Sequence, residues 1–130
     1  RAARMRRYRC RSCKAVIVVG PRDVLRRRAY GAGAIAVALE AYGRGEPSAA
    51  VRCKTSPSKV VGVAARDRWV TVTRWIDAAR DGELFGVRGL GELTRRRAAE
   101  QVTLILAARA GRALGADLAA ASFAGATIAA

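Results

Sequence analysis

Trp69-Val70-Thr71-Val72-Thr73-Arg74-Trp75-Ile76-Asp77 is the stretch on which the fold turns. Read at helical spacing, Val72, Trp75, Ile76 and Ala79 share one side, while Val70, Thr73, Arg74 and Asp77 share the other. The predicted helix runs from Thr71 to Arg80 and stops at Asp81-Gly82. Its polar side carries hydrogen-bonding residues near the start, and an aromatic anchors its back to a core. That is the layout of a helix that enters a DNA groove. Arg74 can fork onto guanine O6 and N7, Thr73 can touch a thymine methyl or a phosphate, and Thr71 lies where free backbone N–H groups meet phosphate. An ordinary amphipathic helix with a solvated polar side has the same pattern.

Upstream, Ile35, Ala38, Leu39 and Tyr42 line one side of a helix predicted from Tyr30 to Tyr42, which Gly43-Arg44-Gly45 ends. Ser48 is expected to cap a short helix over Ala49–Lys54. Ser56-Pro57-Ser58 breaks that helix, and Ser58 caps a further one from Lys59 to Arg66. This 59–66 helix is the competing choice for the groove-reading element. Asp67-Arg68-Trp69 reads as a turn. Downstream, four glycines in 82–93 (Gly82, Gly86, Gly89, Gly91) read as a linker. A long helix is expected from Thr94, its cap, to Leu114, with Ala99, Val102, Leu106 and Ala110 as its buried stripe. Residues 116–130 form either a last helix or a frayed end. There is no internal repeat.

The N-terminal end differs in kind. Residues 5–10 and 15–19 read as two short strands joined at Cys10-Arg11-Ser12-Cys13, and Gly20-Pro21 closes the second. Two residues between thiolates suit a shared zinc ion, but a structural zinc takes four ligands. The chain has no histidine and only one further cysteine, Cys53, which is expected to be a core thiol on a helix. Cys10 and Cys13 are therefore the metal candidates, as half of a zinc ribbon holding zinc weakly or not at all. A redox pair or two incidental cysteines are the alternatives. Beginning at Arg1 rather than Met, the chain is expected to be a piece of a longer parent in which zinc is bound.

Lysine and arginine number 25 against 10 acids, a net charge of +15. Residues 1–28 hold eleven basic side chains against Asp23 alone, and the run includes Arg6, Arg7, Arg9, Arg26, Arg27 and Arg28. A basic arm of this kind suits a polyanion, nucleic acid first. Part of the charge reflects the Arg, Ala and Gly bias of GC-rich coding, which does not account for clustering at one end. Arg95-Arg96-Arg97 opposes the dipole of its helix, so it either faces phosphate or is a solvated end. The odd cysteine count fits a reducing cytoplasm. No apolar run is long enough to span a membrane. Without histidine or a phosphate-binding glycine loop, and with acids scattered through a short helical sequence, no enzyme is expected. Alanine supplies much of the apolar content, so the core should be thin.

Residues 7–80 resemble uncharacterised bacterial proteins related to the DNA-binding N-terminal regions of insertion-sequence transposases. The similar pieces are Arg7-Tyr8-Arg9-Cys10-x-x-Cys13 leading to Val19-Gly20-Pro21, then Leu25-x-Arg27-Arg28-x-Tyr30, Ser48-Ala49-Ala50-Val51-Arg52, Thr55-Ser56-Pro57, Val60-Val61-Gly62 and Arg74-Trp75. Phe123-Ala124-Gly125-Ala126 is also similar. The resemblance implies a zinc ribbon followed by a helix-turn-helix, DNA as partner, and a bacterial cytoplasm. Two departures stand out. The family's first cysteine pair is absent here, and Thr73-Arg74 stands where two basic residues are common.

The expected architecture is mainly α. It consists of a partial zinc-ribbon hairpin (1–21), a helix-turn-helix-like unit (22–82), a linker (83–93) and a C-terminal helical segment (94–130). The expected function is binding of double-stranded DNA by a transposase-related or regulator protein. The basic arm lies on phosphates and helix 71–80 in the major groove, read by Thr71, Thr73 and Arg74. A non-catalytic protein-interaction module, or RNA binding through the basic arm, are the alternatives. Few aromatics argue against a base-stacking platform.

Overall fold

Alanine decides how these helices meet. Helix α1 (Ala32–Gly43) buries Ala32, Gly33, Ile35, Ala36, Ala38, Leu39, Glu40 and Ala41, so it is enclosed on most sides. The computed structural model describes residues 6–19, 30–56, 68–111 and 117–129. Around α1 stand α2 (Ser48–Thr55), α3 (Val70–Arg80), α4 (Arg95–Arg109) and α5 (Leu118–Ala129), each in contact with it. Strands β1 (Arg6–Arg9) and β2 (Val16–Val19) pair antiparallel ahead of them. The chain is mainly α, as its periodicity predicts. The expected helix over 59–66 and the arm residues Arg26, Arg27 and Arg28 lie outside the described residues.

Small side chains bring helix axes close, and three glycines mark the nearest approaches. The ring of Phe123 on α5 lies over Gly33 of α1. Gly43 faces the backbone of Ala99 and Glu100, and Gly125 lies on the backbone of Leu106. A methyl group on Gly125 would overlap the Leu106 carbonyl. Larger apolar residues fill what remains: Ile35, Leu39, Ile76, Leu106, Val51, Val72 and Val102 are fully buried.

Segment 83–93 is no linker. It has no regular structure, yet Leu84, Phe85, Val87 and Leu90 are buried and join the core of the helices. Its glycines make reversals instead of slack; Gly82, for example, takes φ +79° directly after α3. Arg109 clamps the segment from α4, donating to the Phe85 carbonyl at 2.7 Å. The helices on either side of the segment accordingly share one core, with α1 packing on α4 and α5. The expected boundaries at 83 and 93 separate nothing in packing terms.

Other expectations shift locally. Thr94 does cap α4, its side chain accepting from the Arg97 N–H at 3.4 Å. The helix ends at Arg109 and not at Leu114, because Gly111 adopts φ +67°, a left-handed helix stop. Of the two readings of the tail, the last helix holds: α5, capped by Asp117 through the N–H of Ala119. Ser48 does not cap α2. The helix begins at Ser48 after Pro47, and the Ser48 hydroxyl accepts the Trp69 N–H at 3.0 Å. Cys53 is exposed on α2, so it is no core thiol.

Replacing Gly125 with alanine should lower the free energy of unfolding by about 1–3 kcal/mol, the usual range for overpacking a filled site. Gly91→Ala, where the added methyl meets nothing within 4 Å, should change it by less than about 0.5 kcal/mol. Urea unfolding followed by tryptophan fluorescence tests both. Equal stability of the two variants would contradict this packing.

Candidate nucleic-acid interface

The start of α3 is fixed from behind. Tyr30, Trp69 and Trp75 meet edge to face, with ring centroids 5.1–5.8 Å apart. Each such pair adds about 0.5–1.5 kcal/mol beyond burial. The Tyr30 hydroxyl pairs with Ser56 Oγ at 2.8 Å, and the Trp69 N–H is held by Ser48. This junction ties the end of α2 to the beginning of α3. The residue expected as a turn, Trp69, is thus a buried anchor.

The stripe Val72, Trp75, Ile76 and Ala79 is buried, as its spacing requires. On the other side Arg74 and Val70 are exposed, while Thr71 and Thr73 are half-buried. Thr73 donates its hydroxyl proton to the Val70 carbonyl at 2.8 Å, leaving it able to accept only. The guanidinium of Arg74 has no hydrogen bond or ion pair among the described residues. Asp77 lies on the same side but is occupied. Arg95 grips it with two bonds, at 2.9 and 2.8 Å, and Arg80 approaches at 3.8 Å. The Arg95 hydrogen bonds hold the Asp77 carboxyl below the usual carboxylate range.

The three arginines at the start of α4 are exposed, yet each has a partner in the protein. Arg95 takes Asp77. Arg96 donates to the Tyr42 carbonyl at 2.7 Å and lies 4.8 Å from the centre of the Tyr42 ring. Arg97 meets Glu100 at 3.0 Å. The adverse dipole placement is offset by these partners, so the cluster is not merely a solvated end. Arg44 and Lys54 likewise converge on Glu46, and Arg44 also reaches the buried Glu40 at 3.1 Å. Burial pushes the Glu40 carboxyl up.

The hairpin has the opposite character. Arg6, Arg7, Tyr8 and Arg9 are all exposed. The turn closes with the Cys10 N–H donating to the Ala15 carbonyl at 2.8 Å, and Lys14 takes φ +60° with its Nζ on the Arg11 carbonyl. Cys10 Sγ lies 3.3 Å from Ser12 Oγ. That hydrogen bond, helped by others from Cys13 and the Ser12 backbone, lowers the thiol from 9.0 to about 6. Cys13 is exposed. Among the described residues no third cysteine or carboxylate joins the pair as a metal cluster. Two sulfurs supply half of a structural zinc site, so these residues alone do not fit one.

Arg6, Arg7 and Arg9 thus stand together on the hairpin, and Thr71, Thr73 and Arg74 on α3. The sequence pattern missed Arg68, which is exposed one residue before Trp69 without an acid partner among the described residues. Its position at the entry to α3 was the available signal. Comparison with protein-family models, curated proteins and solved structures gives no match. Among the described residues no helix is long and apolar enough to cross a membrane.

Two outcomes follow from this geometry. Ser12→Ala should raise the pH midpoint of Cys10 alkylation from about 6 towards 9.0, read by peptide mass spectrometry; an unmoved midpoint would remove Ser12 as the cause. Arg95→Ala should reduce stability only slightly at neutral pH, since the pair is partly exposed. Asp77 contributes above its unfolded value of 3.8 and loses that contribution as pH falls through its lower folded value. Urea curves of variant and parent should therefore converge in acid.

Proposed function

We propose that the chain binds double-stranded DNA as a non-catalytic protein of the transposase-related or regulator type that its motifs resemble. The hairpin cations neutralise phosphates, and the outer side of α3 lies in the major groove with Arg74 as the principal base contact. One observation carries this reading: the arginines are sorted. Those at Arg44, Arg80, Arg95, Arg96, Arg97 and Arg109 are paired with the protein's own carboxylates or carbonyls. Those at Arg6, Arg7, Arg9, Arg11, Arg68 and Arg74 are exposed and have no acidic partner among the described residues. Arg88 apart, the exposed guanidiniums without an acid partner among the described residues lie on the hairpin and at the start of α3, a clustering that codon bias alone would not give.

The mutual packing of α1, α2 and α3 supports the same reading. A groove-reading helix needs its back held by other helices, and the Trp69–Trp75 pair supplies that hold. The pairing of Asp77 with Arg95 and Arg80 supports it too, since an uncompensated carboxylate on that side would repel phosphate. A protein-interaction role has one observation in its favour. Helix α5 leaves Phe123 48% and Ile128 71% exposed.

A mobility-shift titration on duplex DNA across salt concentrations tests the proposal. Log affinity should fall linearly with log salt, with a slope of about −0.9 per phosphate neutralised. After selection of preferred sites from a random duplex library, Arg74→Ala should lose about 1–3 kcal/mol of discrimination and much less non-specific affinity. Equal loss on every sequence would make Arg74 a phosphate contact. Undetectable or salt-insensitive binding would sink the DNA reading and leave the apolar surface of α5 as the functional one.

A further inference from the structure

Two strands alone are marginal in water, and the described side chains of the hairpin, residues 6–16, supply nothing to the core of the helices. β1 is exposed along its whole length, and Val16 of β2 is 58% exposed. Residues 6–19 contain Arg6, Arg7, Arg9, Arg11 and Lys14 and no acid. A ribbon so charged and so little covered is suited to a polyanionic surface that can take both strands at once.

The register decides how its cations are arranged. Arg7 stands opposite Val18 and Arg9 opposite Val16, while Arg6 stands opposite Val19 and Tyr8 opposite Ile17. Alternation along a strand puts Arg7 and Arg9 on one face and Arg6 with Tyr8 on the other. Arg11 and Lys14 belong to the turn at the tip.

We propose that the hairpin is a second reading element that lies in the major groove of the duplex, its Arg7–Arg9 face on base edges and Arg6, Arg11 and Lys14 towards phosphates. This rests on the DNA-binding reading above and adds base recognition to an arm otherwise limited to phosphate contact. Dimensions agree. The B-form major groove, about 12 Å wide, admits a two-stranded ribbon. Residues two apart on a strand are separated by about 6.6 Å, close to two base-pair rises of about 3.4 Å each. Arginine is the side chain that forks onto guanine O6 and N7. The ribbon should therefore favour two guanines with one base pair between them. A-form RNA is a poor alternative, because its major groove is too deep and narrow for side chains to read.

Two double variants of the full chain with equal charge loss separate base reading from phosphate contact: Arg7→Ala with Arg9→Ala, and Arg6→Ala with Arg11→Ala. The second should weaken binding to every duplex and lower the salt slope by about two phosphates, while the first should change the slope less. Only the first should lose preference at the spaced guanines, by roughly tenfold or more. Replacing those guanines with 7-deazaguanine, which removes the N7 acceptor, should weaken the parent chain and leave the Arg7, Arg9 variant unaffected. Thermal melting of the helices should not change in either variant, since neither touches the core. Equal effects of the two variants on every sequence, indifference to 7-deazaguanine, or tighter binding to duplex RNA would overturn the proposal. If steep salt dependence and the Arg74-dependent preference survive such a result, the ribbon proposal alone has failed. If no duplex binds at all, the DNA reading has failed with it.

Discussion

Helix α1 can be central only because the residues that meet it are small. Half of its buried positions are alanine, and alanine removes little area from water per residue. Such a helix gains adequate burial only if its neighbours come close on several sides. Gly33 under the Phe123 ring, Gly43 beside Glu100 and Gly125 against Leu106 are where that approach is achieved. The same thinness explains why segment 84–90 is drawn in. Leu84, Phe85, Val87 and Leu90 supply the bulk that an alanine-rich bundle lacks, and the core is incomplete without them.

From this packing follows the presentation of α3. Its buried stripe ties it to the bundle, the aromatic contacts among Tyr30, Trp69 and Trp75 fix where it begins, and Arg95 on Asp77 fixes its outer side relative to α4. Arg74 is then left on a helix that has little freedom to turn. Internal pairing of the α4 arginines matters here as well. With Arg95, Arg96 and Arg97 paired to the protein's own groups, the exposed arginines without an acid partner among the described residues lie, Arg88 apart, on the hairpin and beside the start of α3. There they add as a field instead of cancelling against neighbouring acids.

Much of this was legible in the sequence wherever periodicity carried it. The stripes Ile35, Ala38, Leu39 and Val72, Trp75, Ile76, Ala79 are buried as written, because 3.6-residue spacing and apolar side chains leave a helix few other options. Thr94 was legible as a cap for the same local reason. What failed was whatever depended on contacts far apart in sequence. Ser48 looks like a cap until Trp69, twenty-one residues later, offers it an N–H. Glycine density in 82–93 looks like slack until the bundle requires the apolar residues between the glycines. Cys53 has the chemistry of a core thiol, but its side of α2 meets solvent. The partners of Arg95 and Arg96 are on α3 and α1, so no local rule names them.

The hairpin is the converse case. Its local pattern persists in the fold, and its side chains over residues 6–16 give nothing to the core. Its strands, turn and register follow from the short apolar run, the Cys10–Cys13 turn and a left-handed Lys14. The hairpin divides its residues by strand, the apolar run lying on β2. Here the described side chains of β1 are three arginines and one tyrosine, all exposed. Charge density and lack of burial are thus linked. Five cations without an acid repel one another in water, and contact with a line of phosphates would relieve that repulsion while supplying the hairpin with the surface it lacks.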